Sequence, residues 1–574
     1  MEKNEKINLL LFIILASGIF FAWNYFFDTK PAPQPVATEQ TINSAPSMPT
    51  SPAAMLPQKI ASVEEIVKSD RRIKIESALL KGSLTLKGAR IDDLVLKNYR
   101  ETTDPNSPEI QLLSPLGTQN PYYVETGWVS DQHSIHLPDT TTPWQTDQNE
   151  LTPEKPLTLH WENGQGLRFE RIISLDKNYV FSITDRVYNN TANAITLSPY
   201  GLIRRFGQPK TAGFFILHEG PIGYLDHKLV EKKYSDLEKH PLESIQSEGG
   251  WVGITDKYWL TALIPQQKSK SQVNFRHVNG SQSATALEQG SFQTDFASAP
   301  IAIAASGQTE TTVHLFAGAK ELDLLDNYEK VLGIEHFDLA VDFGWFYFLT
   351  KPIFYALTFF HDWIGNFGLA IMLLTILLKI AFFPLANKSF RSTARMKHIQ
   401  PKVEQIRQRF ADDKMRMNQE VMELYKKEKV NPLSGCLPML IQIPVFFALY
   451  KVLFISIEMR QAPFFGWIHD LSQPDPTSFF NLFGLIPWDP PSFLMIGVWP
   501  LLMGLSMLLQ QKMNPPPTDP AQAKIFMLMP VMFTVMLAQF PAGLVIYWTW
   551  NNIITILQQM TFMYFDARQR RIEK

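Results

Sequence analysis

The sequence predicts a multi-domain membrane protein: an all-β domain and an α-helical core of five spans, preceded by an N-terminal anchor helix and interrupted by a cytoplasmic helical hairpin. Three observations carry that expectation. The last third of the chain holds five apolar blocks of roughly the length needed to cross a bilayer. The middle alternates apolar and polar residues with a period of two, as half-buried strands do. Charge is also segregated. The 574 residues carry a formal net charge of −2, yet Asp28–Asp342 holds 39 acidic and 29 basic residues, and Lys388–Lys429 holds 12 basic and 6 acidic. The near-neutral total is two compartments cancelling.

The elements follow in order. Ile7–Phe27 is an apolar stretch closed by Trp23, Tyr25 and Phe27. It is longer than a typical signal-peptide core, and no small-residue cleavage site follows closely, so residues 1–27 read as an uncleaved anchor. Residues 28–59, rich in Pro, Ala, Thr, Ser and Gln, read as a flexible linker. Residues 60–342 contain runs such as SLTLKGARIDDLVLKNY and LRFERIISLDKNYVFSITDRVYN, which predict antiparallel strands and a sandwich. The acids Asp92, Asp93, Asp185 and Asp256 show no metal-ligand spacing and are expected on a solvated surface. Residues 343–363 (FGWFYFLTKPIFYALTFFHDW) predict a helix lying along the outer interface, with Pro352 inside it.

The core, 364–562, holds spans at about Asn366–Ala386, Leu433–Ile457, Phe493–Gln510, Ile525–Gln539 and Ala542–Met560. Between the first two, 388–430 predicts the hairpin. Its first helix, Ser392–Phe410, lines Ile399, Val403, Ile406 and Phe410 along one face, with Pro401 at a kink or near the helix start. Its second, Lys414–Lys429, lines Met417, Val421 and Leu424, and Asp412–Asp413 is the break and cap. A basic tail, 563–574, follows. Lys and Arg stay on the cytoplasmic side. Both termini are therefore expected in the cytoplasm and the β domain outside, which in a bacterium with two membranes is the periplasm. The basic hairpin either enforces this topology or contacts ribosomal RNA, lipid headgroups or acidic chains.

Lys379 stands inside the apolar run GLAIMLLTILLKIAFFPL. An ammonium there costs several kcal/mol, roughly 3 on insertion scales. It lies roughly 20 Å from the outer end of its span and roughly 10 Å from the inner end, at about 1.5 Å rise per residue. Thr375 is one turn away on the same face. Gln442 lies between Pro438 and Pro444 in the next span. Tyr547, Trp548, Asn551 and Asn552 lie in the last span, with Gln558 and Gln559 near its inner end. These depths predict a shared hydrophilic cavity that hydrates Lys379, against the alternative of interhelical bonding. The single cysteine, Cys436, excludes a disulfide framework, and no Walker, HExxH, GxSxG or GxGxxG motif occurs. No span holds His, Asp or Glu, which speaks against an intramembrane protease or a proton-coupled transporter. Neither catalysis, cofactor nor metal is expected. A solute transporter or channel is the alternative reading.

Four segments carry a resemblance: NPLSGCLPMLIQIPVFFALY (Asn431–Tyr450), RQAPFFGWIHDLSQPDP (Arg460–Pro476), TDPAQAKIFMLMPVMF (Thr518–Phe533) and FPAGLVIYWTWNN (Phe540–Asn552). Through them the chain resembles the YidC family of bacterial membrane protein insertases over essentially its full length. The resemblance implies a periplasmic β-super-sandwich similar in fold to sugar mutarotases. It also implies a five-helix core around a hydrophilic groove open to the cytoplasm and to lipid. Lys379 matches the groove's basic residue, commonly arginine. Ile443 and Pro444 match substrate-contacting positions, Tyr547 and Trp548 a pair that is often Tyr–Tyr, and Asp519 an acid at the cytoplasmic mouth. The implied partners are nascent membrane-protein substrates, the Sec translocon, the ribosome through the hairpin and basic tail, and the phospholipid bilayer.

Overall fold

A computed structural model describes residues 60–572 apart from 133, 212–216, 280–289, 345, 412, 429–436, 489, 492–493 and 515–519. The expected anchor and linker, Cys436 and Asp519 lie outside the described residues. The chain divides into a β unit that runs to Gly344 and takes in Ile455–Glu458, and a helical unit holding Trp345–Phe454 and Met459–Lys574.

The β unit is a sandwich of two sheets, of eleven and eight strands among the described residues. The period-two reading holds where it was clearest: along Leu167–Leu175, alternate residues Phe169, Ile173 and Leu175 are buried. In the larger sheet Ile195–Phe206 pairs antiparallel with both Tyr122–Val129 and Ser291–Ser298. Gly201 on that strand lets the sheets close: a Cβ there would stand 3.0 Å from Leu263 of the smaller sheet and 2.7 Å from Phe296. Aromatic side chains, Trp251, Phe316 and Phe337 among them, fill the core.

The acids expected on a solvated surface are instead paired, and three of them are buried. Asp92 is fully buried and bonds Arg72 and Arg90. Asp93 accepts from Ser83 and Gln111. Asp185 meets buried Arg171, and the less enclosed Asp256 meets Arg205 at 2.7 Å. Arg90 lies two residues from Asp92 on the same strand, Arg90–Arg100. Arg72, Arg171 and Arg205 reach their acids from other segments, which spacing along one strand does not reveal. Buried carboxylates need such donors to offset their lost hydration.

Among the described residues the β unit holds the α-helices α1 (Val63–Ser69), α2 (Tyr234–Lys239) and α3 (Leu322–Leu332). Helix α4 (Tyr347–Ile364) opens the helical unit and keeps Pro352 within it. Asn366 then caps α5 (Phe367–Ala381), its side chain accepting from the Leu369 N–H. The expected first span, Asn366–Ala386, is cut short there. The chain bends by 67° into α6 (Phe383–Arg409). Pro384, in the first turn of α6, explains the break: proline has no N–H to give α5 and disfavours helical backbone in the residue before it. The first hairpin helix thus begins at Phe383, nine residues before the expected Ser392, and Pro401 sits well inside it.

Asp413 caps α7 (Lys414–Lys427), accepting from the Arg416 N–H at 3.0 Å, and Lys402–Glu428 at 2.8 Å ties the two legs. The remaining helices are α8 (Leu437–Ile455), α9 (Val498–Met513), α10 (Pro520–Leu537) and α11 (Ala542–Ile572). Among the described residues no single helix is long and apolar enough to cross a membrane, but the bent pair α5–α6 is. Helices α9 and α10 approach closely at Gly504, whose missing Cβ would stand 2.0 Å from Thr534 Oγ1. Met503, Leu537 and Val545 make the apolar seam there.

Candidate functional site

Helices α5, α6, α8 and α11 line a shared cavity. Its lining combines Thr375, Lys379, Gln442, Tyr547 and Asn551 with an apolar wall that includes Phe382, Leu385 and Val445. The bend at Phe382 matters here, because it turns α6 aside and brings Phe382 and Leu385 into the lining.

The polar groups are few and sparsely bonded. Lys379 Nζ donates to Thr555 Oγ1 at 2.9 Å. Thr555 in turn donates to the Asn551 carbonyl at 2.7 Å. Gln442 Nε2 donates to the Tyr547 hydroxyl. Thr375 is buried and returns its hydroxyl to the Ile371 carbonyl at 2.7 Å. Asn551 Oδ1 is buried with no hydrogen-bond partner in the protein. Among the described residues, no carboxylate reaches Lys379 within ion-pair distance. An enclosed ammonium and amide left this underbonded are costly unless water or another chain completes their shells. Lining of this kind recognises and solvates. It offers no paired nucleophile and base for bond-making.

Five of the nine residues expected at the site therefore meet: Thr375, Lys379, Gln442, Tyr547 and Asn551. Ile443 points away from the lining and is 43% exposed. Pro444 lies beside it within α8. Trp548 packs against Phe446, with ring centroids 4.7 Å apart, and against Phe533. That puts it on a flank of α11 and not in the cavity lining, as a one-residue step of about 100° from Tyr547 requires on a helix. The cavity expected to hydrate Asn551, Asn552, Gln558 and Gln559 together is lined by Asn551 and by none of the other three. Asn552 donates to Ser506 at 2.9 Å and Gln559 to Asn514 at 3.1 Å, so both bond α11 to α9 and its C-cap. Thr555 went unnoticed in the sequence. Its signal was spacing, for 547, 551 and 555 repeat every four residues and share one helix face.

Comparison with known proteins covers both units. Residues 72–356 match the family model described as the YidC periplasmic domain, and residues 359–569 the one described as the 60Kd inner membrane protein. "Membrane protein insertase YidC" of Rickettsia bellii is 49% identical over 559 residues, 97% of this chain and 98% of its own length. Its counterpart from Methylobacterium nodulans is 48% identical over 585 residues, 98% of this chain and 95% of its own. The solved structure "Active YidC insertase crystal structure with the first transmembrane domain resolved" aligns with 88% of this chain and 94% of that one at 16% identity, with a TM-score of 0.34. Relatives alike at nearly half of all positions, across both units, place the assignment on sequence: the chain belongs to the YidC family of membrane protein insertases.

Proposed function

We propose that this chain is a bacterial inner-membrane insertase that needs no energy source of its own. The reading has both termini in the cytoplasm and the β unit in the periplasm. The observation that carries it is the underbonded ammonium of Lys379, enclosed with Asn551, Gln442 and Tyr547 in one cavity. A nascent chain enters from the cytoplasm as a hairpin. Its polar, often acidic, outer segment completes the shells of Lys379 and Asn551, which lowers the cost of carrying polar groups into hydrocarbon. The apolar segment then slides along α8 and α10. Both offer exposed apolar side chains, Ile443 and Phe447 on one, Met527, Leu528 and Val531 on the other. Burial of some 20 apolar residues in lipid drives the exit, and the membrane potential assists transfer of acidic residues.

On this reading Lys379, Thr375, Gln442, Tyr547 and Asn551 receive the polar segment. Ile443, Pro444 and Trp548 flank the apolar exit, and Asp519 is the position that matches the family's acid at the cytoplasmic mouth. Lysine keeps the positive charge of the arginine common in the family but not its bidentate fork. Nascent membrane proteins are the substrates. The ribosome docks on the hairpin and basic tail, and the Sec translocon shares some substrates. The test is Lys379→Glu in cells depleted of the native protein. Insertion of small single-span substrates should fall by tenfold or more, since reversing one charge in an enclosed site costs several kcal/mol. Normal insertion by that variant sinks the charge mechanism. Crosslinks from ribosome-held chains to a photoreactive residue at 442 or 547 test the path itself.

A further inference from the structure

Between α8 and α9 the chain makes an excursion that the cavity does not use. From Pro476 to Trp488 it carries no charged residue. Its large apolar side chains nonetheless face outward. Leu485 is 83% exposed, and Phe479, Leu482, Phe483 and Trp488 are each about half exposed.

This is a built structure and not slack chain. Ser478 is buried, accepts from the Phe480 N–H and donates to the Leu494 carbonyl at 3.0 Å. Asn481 accepts from the Gly484 N–H at 3.0 Å and donates to the Trp488 carbonyl. Leu482 and Phe483 are held at φ of 50° and 59°. Those left-handed values carry a steric penalty for any residue but glycine. The fold accepts that penalty at two bulky apolar residues and turns them out.

The base is fixed to one end of a span. Asp475 Oδ2 accepts from the Trp499 N–H at 2.9 Å and Thr477 Oγ1 from the Val498 N–H at 3.1 Å, so two orphan donors of the α9 N-terminus are met by the loop. The apolar surface then continues down α9 through Leu501, Leu502, Leu505 and Leu509, all exposed in the protein alone. In a membrane protein that row is covered by lipid. A docking surface for a soluble partner carries a polar rim, and this segment has no charge from which to build one. An aromatic and aliphatic tip beside a span's end matches the bilayer interface.

We propose that Ser478–Trp488 is a membrane-dipping finger whose apolar tip inserts among the lipids beside the N-terminus of α9. On the orientation proposed above, that leaflet is the outer one. The finger would hold this end of α9 at a fixed depth.

The test uses the full chain with Cys436→Ser, carrying Leu485→Cys labelled with an environment-sensitive fluorophore. It is reconstituted in vesicles of phosphatidylethanolamine and phosphatidylglycerol. A probe at Asn106→Cys, on the exposed surface of the β unit, is the aqueous reference. Lipids bearing a nitroxide on the acyl chain should quench the Leu485 probe at least about threefold more than the reference, and aqueous iodide should do the reverse. Iodide quenching equal to the reference overturns the proposal. So does shielding from both quenchers, which means the tip rests on protein. Ile486→Cys supplies a second position should the first fail to reconstitute. Lipid quenching does not depend on which way the protein is inserted. Protease access to the β unit reports orientation separately, so failure of the finger and failure of the topology are distinguishable.

Discussion

In the β unit, Arg171 and Asp185 are both buried and meet through bonds of 2.7 and 2.8 Å, and Arg171 gives a third of 2.7 Å to the Thr126 carbonyl across the sandwich. In the helical unit, Lys379 has one threonine hydroxyl. Asp295 of the β unit is fully buried and accepts from Asn274, Arg276 and Gln293. Asn551 of the helical unit has a buried oxygen with no partner. The β unit completes the shells of these buried charges and uses them to fix strand against strand. The helical unit leaves its cavity groups incomplete. Buried atoms without a partner occur in the β unit too, Gln293 Oε1, Thr294 Oγ1 and Trp251 Nε1 among them. The difference therefore lies in the charges: Asp185 and Asp295 meet arginines, and among the described residues Lys379 meets no carboxylate.

Breaking the first kind should cost the most. Arg171→Ala strands the Asp185 carboxylate in the sandwich, and removing one partner of a buried pair costs roughly 3 to 5 kcal/mol. The urea midpoint of the β unit should drop accordingly, and a midpoint within error of the parent would break the comparison. Next in size is packing without charge. Gly504→Val forces side-chain atoms against Thr534 at the α9–α10 seam, and overpacking costs about 1 to 3 kcal/mol. Thermal unfolding in detergent reads that loss directly.

Lys379→Met should behave in the opposite sense. Removing an ammonium with a single partner relieves a burial cost of about 1 kcal/mol or more, so the helical unit should melt no lower and even slightly higher. Insertion of substrates with acidic outer segments should nonetheless fall about tenfold, near 1.4 kcal/mol. A variant that melts lower than the parent would mean that Lys379 is structural, like Arg171.

How far the sequence reached depended on whether the deciding contact was local. Alternation along Leu167–Leu175 and the capping Asp413 are local, and both were legible. So was the shared cavity of Lys379, Thr375, Gln442, Tyr547 and Asn551, because an enclosed charge selects polar company at its own depth. The acids of the β unit were misjudged because Arg72, Arg171 and Arg205 reach them from other segments. Arg90, two residues from Asp92 on the same strand, was the one local sign of pairing. The end of α5 was misjudged for another reason. Hydropathy runs on through Phe382 and Phe383, and it does not register that Pro384 has no N–H. Trp548 and Asn552 show the remaining limit. Position along the helix was readable, but the helix face depends on which neighbours pack there.

That limit sets the smallest and sharpest test, on two adjacent asparagines. Asn552 gives its amide to Ser506 at 2.9 Å and ties α11 to α9, while Asn551 beside it faces the cavity with its oxygen unbonded. Interhelical hydrogen bonds in membrane proteins average about 0.6 kcal/mol. Asn552→Ala should therefore lower the melting of the helical unit by that small amount and leave insertion within about twofold of the parent. Asn551→Ala removes a group that no protein atom satisfies, so melting should hold or rise while insertion and crosslinking to the nascent chain decline. The two substitutions are chemically identical and one residue apart, so composition and depth cancel between them. If both variants shift stability and insertion alike, a polar group's incomplete shell says nothing about its role. If they split as expected, a one-residue step around α11 separates a bond that holds the helices from a group that meets the substrate.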